Sequence, residues 1–193
     1  TYSSSNTSVA SIDASGNFIT LVGAGDVSFN AVQAATSQYA SSTKTSNQLS
    51  VARGISNLSS SSTFSVAETK TFGDASFAIT TRPTSNNTSV DIVYSSSNPA
   101  VATIDASGNF ITLVGAGDVS FNAAQAQTAQ YLAATKASNT LTVSLGTSNL
   151  ASSTFSVAET KTFGDASFAI TTRPTGNNTS VDIVYSSSNP AVA

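Results

Sequence analysis

Short segments in which apolar and polar residues alternate run along the middle of the chain, and turn residues separate them. A two-residue period bounded by Gly, Pro, Asn and Asp is typical of β-strands, and none of these segments sustains the 3.6-residue period of a helix. The pattern predicts strands at residues 64–66, 77–79, 91–94, 101–104, 110–114, 119–123 and 141–145. The chain is therefore predicted to be all-β, with about seven strands in roughly 91 residues.

Two of the connections between these segments carry hairpin signals. Residues 105–109 read Asp-Ala-Ser-Gly-Asn, which suits a tight turn with one left-handed residue. Residues 115–118 read Gly-Ala-Gly-Asp and predict a second hairpin, which joins residues 110–114 to residues 119–123. A loop through Tyr131 is expected to lead to the last strand.

The same sequence recurs along the chain with almost no change. Residues 12–31 and 104–123 are identical at all 20 positions, at an offset of 92. Residues 63–102 match residues 154–193 at an offset of 91, with one difference in 40 positions. A period of this length indicates a tandem array of domains rather than a single fold.

The change in offset places the boundaries of the repeat, since connections between domains tolerate length changes best. Residues 56–146 are predicted to be one complete repeat, residues 1–55 the C-terminal part of another, and residues 147–193 the N-terminal part of a third. We expect residues 147–193 to supply the first three strands of a repeat and residues 1–55 the rest. A half domain exposes an open core and should not be ordered alone, so the halves are expected to complete one another across successive chains or along one continuous polypeptide.

Composition excludes several classes of function. Ser, Thr and Asn make up about two fifths of the chain, yet the hydrophobic fraction is 39%, which favours a folded β protein over a disordered one. The chain has no Cys or His, so disulfides, thiolate metal sites and the usual nucleophile–base pairs are absent, and we expect no enzyme. A net charge of −3 without a basic stripe argues against nucleic acid, and no apolar run is long enough to span a membrane.

Residues 94–105 resemble the signature of the group 2 bacterial immunoglobulin-like domains. They read Tyr-Ser-Ser-Ser-Asn-Pro-Ala-Val-Ala-Thr-Ile-Asp and are followed by Gly108, while residues 114–121 are similar to the closing hairpin of that family. The family occurs in invasin- and intimin-type adhesins, large repetitive surface proteins and some phage virion proteins. The resemblance implies tandem immunoglobulin-like β-sandwiches of about seven strands per repeat, without catalytic residues or cofactors.

Acidic residues are spread over the loops of each repeat, and one turn combines several oxygen ligands. Asp105, Ser107 and Asn109 are the candidate calcium ligands, since calcium prefers clustered oxygen atoms. The competing interpretation, favoured because the other acids are scattered, is that Asp105 and Asn109 only make the hydrogen bonds of the turn. No other metal ligand set and no cofactor site is predicted.

Lysines and aromatic residues supply two further candidates. Lys70 or Lys136 could form an isopeptide bond with Asn122 or Asn139 beside Glu68, but two solvated lysines are the favoured interpretation. The aromatic residues are expected to pack in the core because most lie at alternating positions, with Tyr131 as the candidate for packing between domains. These aromatic residues are Phe64, Phe72, Phe77, Tyr94, Phe110, Phe121 and Tyr131.

Repetition and polarity favour a structural role outside the cell. We expect a non-catalytic spacer of an extracellular filament, cell-surface fibre or adhesin stalk, whose partners are copies of itself and whose regions outside this fragment could bind a host or surface glycan. The alternative is a virion fibre or decoration protein of phage or virus, built from the same modules. A third hypothesis, a carbohydrate-binding module, requires an exposed aromatic platform beside polar residues.

Overall fold

The computed structural model describes residues 1–192, and they fall into two compact units, residues 1–144 and residues 145–192. The protein is nearly all β, as the alternation predicts. The first unit holds sixteen short strands and a single helical turn, α1 (Asn57–Ser60). No helix among the described residues is long and apolar enough to cross a membrane.

Residues 1–55 form seven strands in three small sheets. The sheets have the strand orders β1-β5-β6, β2-β3 and β4-β7, and every pairing is antiparallel. The strands are β1 (Tyr2–Ser4), β2 (Ala10–Ile12), β3 (Ile19–Leu21), β4 (Gly25–Val27), β5 (Phe29–Gln33), β6 (Ser42–Thr45) and β7 (Leu49–Val51).

Residues 56–144 form nine strands, two more than the alternation predicts. The sheets have the orders β10-β14-β15, β11-β12-β9 and β13-β16-β8, and only the β16–β8 pair is parallel. The strands are β8 (Thr69–Thr71), β9 (Phe77–Ala78), β10 (Val93–Ser96), β11 (Ala102–Ile104), β12 (Phe110–Leu113), β13 (Gly117–Val119), β14 (Phe121–Gln125), β15 (Ala134–Ala137) and β16 (Leu141–Ser144).

The sequence repeat is also a repeat of strand register. Tyr2 pairs with Ala31 as Tyr94 pairs with Ala123, at the same offset of 92 that relates the sequences. The pairs β2–β3, β4–β7 and β5–β6 reappear as β11–β12, β13–β16 and β14–β15. Near-identical sequence therefore folds into the same hydrogen-bond ladders twice in this unit.

One core lies among the three sheets of residues 56–144. Strand side chains from all three sheets fill it, and Leu58 of α1 closes one side. Its buried members are Leu58, Phe64, Val66, Ile79, Val101, Ala102, Ile111, Val119, Phe121, Ala123, Ala134, Leu141 and Val143. The corresponding cluster of residues 1–55 is much smaller and comprises Val9, Ala10, Val27 and Phe29.

The predicted second hairpin is wrong. The strand expected at residues 119–123 is divided into β13 and β14, and neither pairs with β12. The chain instead crosses to another sheet at Gly115, where a β-carbon would lie 2.7 Å from the carbonyl oxygen of Ala100. Only a glycine fits this close crossing, so the glycine that suggested a turn marks a change of sheet.

Smaller differences affect the first and last strands of the repeat. Residues 64–66 make an isolated bridge between Ser65 and Thr81 rather than a strand. Strand β8 was not predicted because Thr69–Thr71 lacks apolar alternation, and β15 replaces part of the expected loop. The first hairpin is confirmed, since β11 and β12 pair across the turn that contains Gly108, whose φ is +65°.

Within residues 145–192 the expected three strands are absent. This unit contains a 3₁₀ turn (Leu150–Ser152), a bridge between Ser156 and Thr172, and a pair of reciprocal hydrogen bonds between Asn149 and Asn177. In the complete repeat the corresponding strands β8, β9 and β10 pair with β16, β12 and β14, all in the C-terminal half. The N-terminal half therefore has no ladder partner of its own.

Candidate functional site

The candidate calcium ligands lie together in the turn between β11 and β12. The Asp105 carboxylate accepts hydrogen bonds from the backbone N–H of Asn109 (2.7 Å) and Phe110 (3.0 Å) and from the hydroxyl of Ser107 (2.6 Å). The backbone N–H of Gly108 closes the turn on the Asp105 carbonyl oxygen. The turn hydrogen bonds expected from the sequence are therefore present.

Arg82 comes from a distant loop and binds the same turn. Its guanidinium donates to the side-chain oxygen of Asn109 (2.7 Å) and to the carbonyl oxygen of Ser107 (2.6 Å). The Ser107 hydroxyl, followed by the backbone of Phe110, holds the pKa of Asp105 below its usual range, and the charge of Arg82 acts in the same direction. Sequence reasoning missed Arg82, because the contact spans 27 residues and has no local signal.

An open cleft of about 460 Å³ lies beside this turn. Polar groups dominate its lining, and one lining residue, Gln125, is buried and its amide donates to the carbonyl oxygens of Asn87 and Val90 at 2.6 Å each. The side-chain oxygen of Asn87 is buried without a hydrogen-bond partner among the described residues. The lining residues include Arg82, Asn87, Asp91, Tyr94 and Gln125.

Tyr94 does not present an open aromatic platform in this cleft. The ring lies against Gly108, where a β-carbon would be 2.3 Å from the ring, and the edge of Phe64 packs on it at 5.9 Å between centroids. Arg82 lies over the ring at 5.9 Å. The stacking surface that a carbohydrate-binding module uses is therefore covered at this position.

The expected aromatic core is correct in part. Phe64 and Phe121 are buried, and Phe77 and Tyr94 are half-buried against the core. Phe72 and Phe110 are exposed, so the core assignment is wrong for these two rings. Alternation misplaced Phe110 because the neighbouring position, Ile111, is the one that faces the core.

Two of the residues proposed for an isopeptide bond, Lys70 and Asn139, make other contacts. The ammonium of Lys70 lies 4.7 Å from the centre of the Phe77 ring. The side-chain amide of Asn139 binds both backbone groups of Val66, accepting from its N–H at 2.8 Å and donating to its carbonyl oxygen at 3.1 Å. Asn139 thus ties the start of the repeat to its last strands.

A second polar site joins residues 1–55 to residues 56–144. The loop 128–132 of the second repeat binds two segments of the first, residues 22–24 and residues 53–54. Five hydrogen bonds hold this junction: Ala24 N to Ala129 O (3.0 Å), Gln130 Nε2 to Val22 O (3.1 Å), Gly54 N to Gln130 O (2.7 Å), Leu132 N to Gly54 O (3.0 Å) and Arg53 Nε to Thr128 O (2.9 Å).

The Tyr131 ring lies beside Gly54 at this junction. A β-carbon on Gly54 would be in ordinary contact with the ring at 3.4 Å, and one on Gly23 would lie 3.7 Å from the β-carbon of Ala129. Tyr131 therefore packs against the end of the first repeat, which confirms its predicted role. The sequence alone did not identify Gly23 and Gln130 as residues of this junction, although Gly23 recurs as Gly115 in the next repeat.

Comparisons with known proteins show only a remote likeness in structure. Neither the family models nor the curated proteins contain a match to this sequence. Among solved structures, domains 1–6 of the surface layer protein SbsC resemble it with a TM-score of 0.30 and 16% sequence identity. The aligned region covers 81% of this chain and 21% of that one, and a TM-score this low does not establish a shared fold.

Proposed function

We propose that this chain is a non-catalytic structural spacer of an extracellular fibre or adhesin stalk, built from tandem immunoglobulin-like repeats. The observation that carries the proposal is the junction between residues 1–55 and residues 56–144. Three of its five hydrogen bonds join backbone groups on both sides, so they depend little on side-chain identity. Such a contact can recur at every step of an array of near-identical repeats.

The two incomplete repeats have complementary exposed faces, which supports end-to-end assembly of copies. In the C-terminal half, Ile19 is 49% exposed, whereas the identical position Ile111 is 0% exposed in the complete repeat. In the N-terminal half, Phe155 is 55% exposed, whereas its counterpart Phe64 is 4% exposed. Each half therefore lacks the surface that the other provides, and we propose that halves of these two kinds complete one another, across successive chains or along one continuous polypeptide.

Surface chemistry agrees with a spacer. Charged residues form only 9% of the chain, and the exposed strand positions are mostly Ser, Thr and Asn. No group of three or more Asp, Glu, His or Cys residues that could hold a metal ion occurs in the part of the chain that the structure describes. Short exposed strands rich in Thr and Ser give a polar surface with few attachment points for other molecules.

Immunogold electron microscopy tests the proposal most directly. Antibodies against the purified chain are applied to intact and to permeabilised source cells, and to purified virus particles where the source carries them. We expect label along fibres on intact cells. Label that appears only after permeabilisation would contradict an extracellular spacer, and label on virus particles would favour the virion fibre instead.

A further inference from the structure

Charged residues in the strands of the complete repeat occur only in outer strands. Strands β8 to β16 contain three of them, Lys70 in β8, Asp118 in β13 and Lys136 in β15. Each of these strands lies at the end of a sheet, whereas the central strands β12, β14 and β16 carry no charge. An outer strand exposes a row of unpaired backbone N–H and C=O groups, which a strand of another chain can extend. The charges therefore stand at edges where such extension can begin.

Lys136 faces the core side of its sheet. Its register partner in β14 is Ala123, which is fully buried, and directly opposed residues of an antiparallel pair share one face. Lys136 is itself half-buried, whereas its neighbours Thr135 and Ala137 are exposed. A half-buried lysine on this face keeps its ammonium hydrated by extending it past the open edge of the sheet.

Lys70 has the same placement in another sheet. In the parallel pair of β8 with β16, its register partner is the buried Val143. Lys70 is half-buried between two exposed neighbours, and its ammonium lies 4.7 Å from the centre of the Phe77 ring. The complete repeat contains no other lysine than Lys70 and Lys136, so both of its lysines point inward from an edge.

Neighbouring repeats do not cover these edges. Strand β6 of the first repeat carries Lys44 at the position of Lys136, and a complete repeat follows it in the chain. It nevertheless stays the outer strand of its sheet, and Lys44 pairs with Ala31 as Lys136 pairs with Ala123. Strand β8 likewise follows residues 1–55 and pairs with none of their strands. Edges of both kinds are therefore open beside a repeat that is present in the chain.

The other outer strands of the complete repeat are protected in different ways. Strands β9 and β11 contain only two and three residues, and short edges offer few groups for pairing. Strand β10 borders β11, where the Ser96 hydroxyl donates to the carbonyl oxygen of Ala102 at 2.7 Å. In β13, the exposed Asp118 carboxylate accepts a hydrogen bond from the Thr142 hydroxyl at 2.7 Å. An inward-facing charge occurs only at β8 and β15.

We propose that Lys70 and Lys136 keep strands of other copies and of neighbouring repeats from pairing with β8 and β15. A strand added to either edge continues the sheet past the lysine and closes the path of its ammonium to water. Burying an unpaired ammonium costs more free energy than the backbone hydrogen bonds of a short strand return. Near-identical repeats need this protection, because mispairing between repeats is a characteristic failure of such arrays. This role belongs to the complete repeat alone and does not depend on where the protein is located.

Replacing both lysines by methionine tests this role. Methionine keeps a long, flexible side chain but removes the charge. Lys70→Met with Lys136→Met changes the net charge from −3 to −5, so general repulsion between copies should slow their association. We expect the opposite. At temperatures that leave the same fraction of chains folded, thioflavin fluorescence and the infrared signal of intermolecular β-sheet should rise at least about tenfold faster than in the natural chain.

Exchanging each lysine with the threonine before it supplies the matched control. Thr69→Lys with Lys70→Thr, and Thr135→Lys with Lys136→Thr, keep the composition and the net charge. Both charges then lie on the outer face, where an added strand leaves them in water. We expect this exchanged variant also to associate faster than the natural chain.

Each variant has an outcome that would overturn the proposal. A folded methionine variant that associates no faster than the natural chain would show that the two charges do not protect the edges. A folded exchanged variant that stays as slow as the natural chain would show that the inward direction of the charges is irrelevant. If a double variant does not fold, the same comparison is made with the changes at Lys136 alone.

Discussion

At the scale of single residues, identical side chains have different surroundings in the two repeats of the first unit. Gln125 is buried and its amide donates to the carbonyl oxygens of Asn87 and Val90. Gln33 occupies the same position in the first repeat but is exposed. The sequence around both is almost the same, so the difference comes from the N-terminal half that accompanies only Gln125.

Replacing these two glutamines measures that difference. Gln125→Ala removes the donor from the buried carbonyl oxygen of Asn87 and the half-buried one of Val90, and it should lower the free energy of unfolding by about 2–3 kcal/mol. The matched variant Gln33→Ala should change it by no more than about 0.5 kcal/mol, as for other exposed positions. Urea unfolding followed by circular dichroism gives both values, and equal losses would contradict the burial described for Gln125.

A pH dependence follows from the turn at Asp105. Hydrogen bonds from Ser107 and Phe110 lower the pKa of Asp105 in the folded chain. A lowered folded pKa stabilises the fold at pH values above the ordinary carboxylate range of about 4, and this contribution is lost as the pH falls through the folded pKa. Asp13 has a lowered pKa for the same reasons, with Phe18 as the largest cause and Ser15 next.

The variant Asp105→Asn removes the titrating group but keeps an oxygen that can accept from the backbone. We expect it to be less stable than the natural chain at neutral pH, and the difference should shrink as the pH falls below about 4. Thermal unfolding across this pH range checks the expectation. A difference in stability that stays constant with pH would show that the charge of the Asp105 carboxylate does not contribute to it.

At the scale of elements, the sequence correctly predicted the turn whose contacts lie between residues close together in the chain. Asp105 and Gly108 identified the first hairpin because a tight turn needs an acceptor at its start and a left-handed residue near its end. Gly115 gave the wrong prediction of a second hairpin. Its role is to let the chain pass close to Ala100, and this contact depends on a segment 15 residues away. The contacts of Arg82 and the parallel pairing of β8 with β16 also join segments that are far apart in the chain. No local sequence pattern in these segments specifies the partner.

Strand β12 shows how strongly the N-terminal half determines burial. Ile111 in β12 is 0% exposed, and β12 pairs with both β11 and β9. Ile19 in β3 is 49% exposed, and β3 pairs only with β2. The same twenty-residue sequence thus lies at the centre of one sheet and at the edge of another.

Alanine substitutions should reveal this asymmetry in dilute solution, where copies do not meet. Ile111→Ala creates a cavity in a packed core and should cost about 2–5 kcal/mol of unfolding free energy. Ile19→Ala should cost less than about 1 kcal/mol, since its side chain already contacts water. Equal costs in dilute solution would mean that the two repeats have the same core, contrary to the structure.

At the scale of the whole molecule, each of the two half repeats exposes apolar side chains whose counterparts are buried in the complete repeat. Residues 145–192 expose the apolar face of an N-terminal half, and residues 1–55 expose the face that an N-terminal half covers in the complete repeat. Near-identical sequence makes these faces mutually compatible, because the complete repeat shows how they pack. We propose that a face of one kind covers a face of the other kind, and association through two different surfaces gives open-ended growth rather than a closed oligomer.

Growth of the purified 193-residue chain with concentration is the most direct test of this account. Light scattering is recorded over a dilution series, together with the variant Val157→Asp, whose position is 51% exposed here and corresponds to the buried Val66 of the complete repeat. We predict an average mass that rises continuously with concentration for the natural chain and stays at one chain for Val157→Asp. A natural chain that remains a single subunit at every concentration would contradict the proposal that copies complete one another end to end.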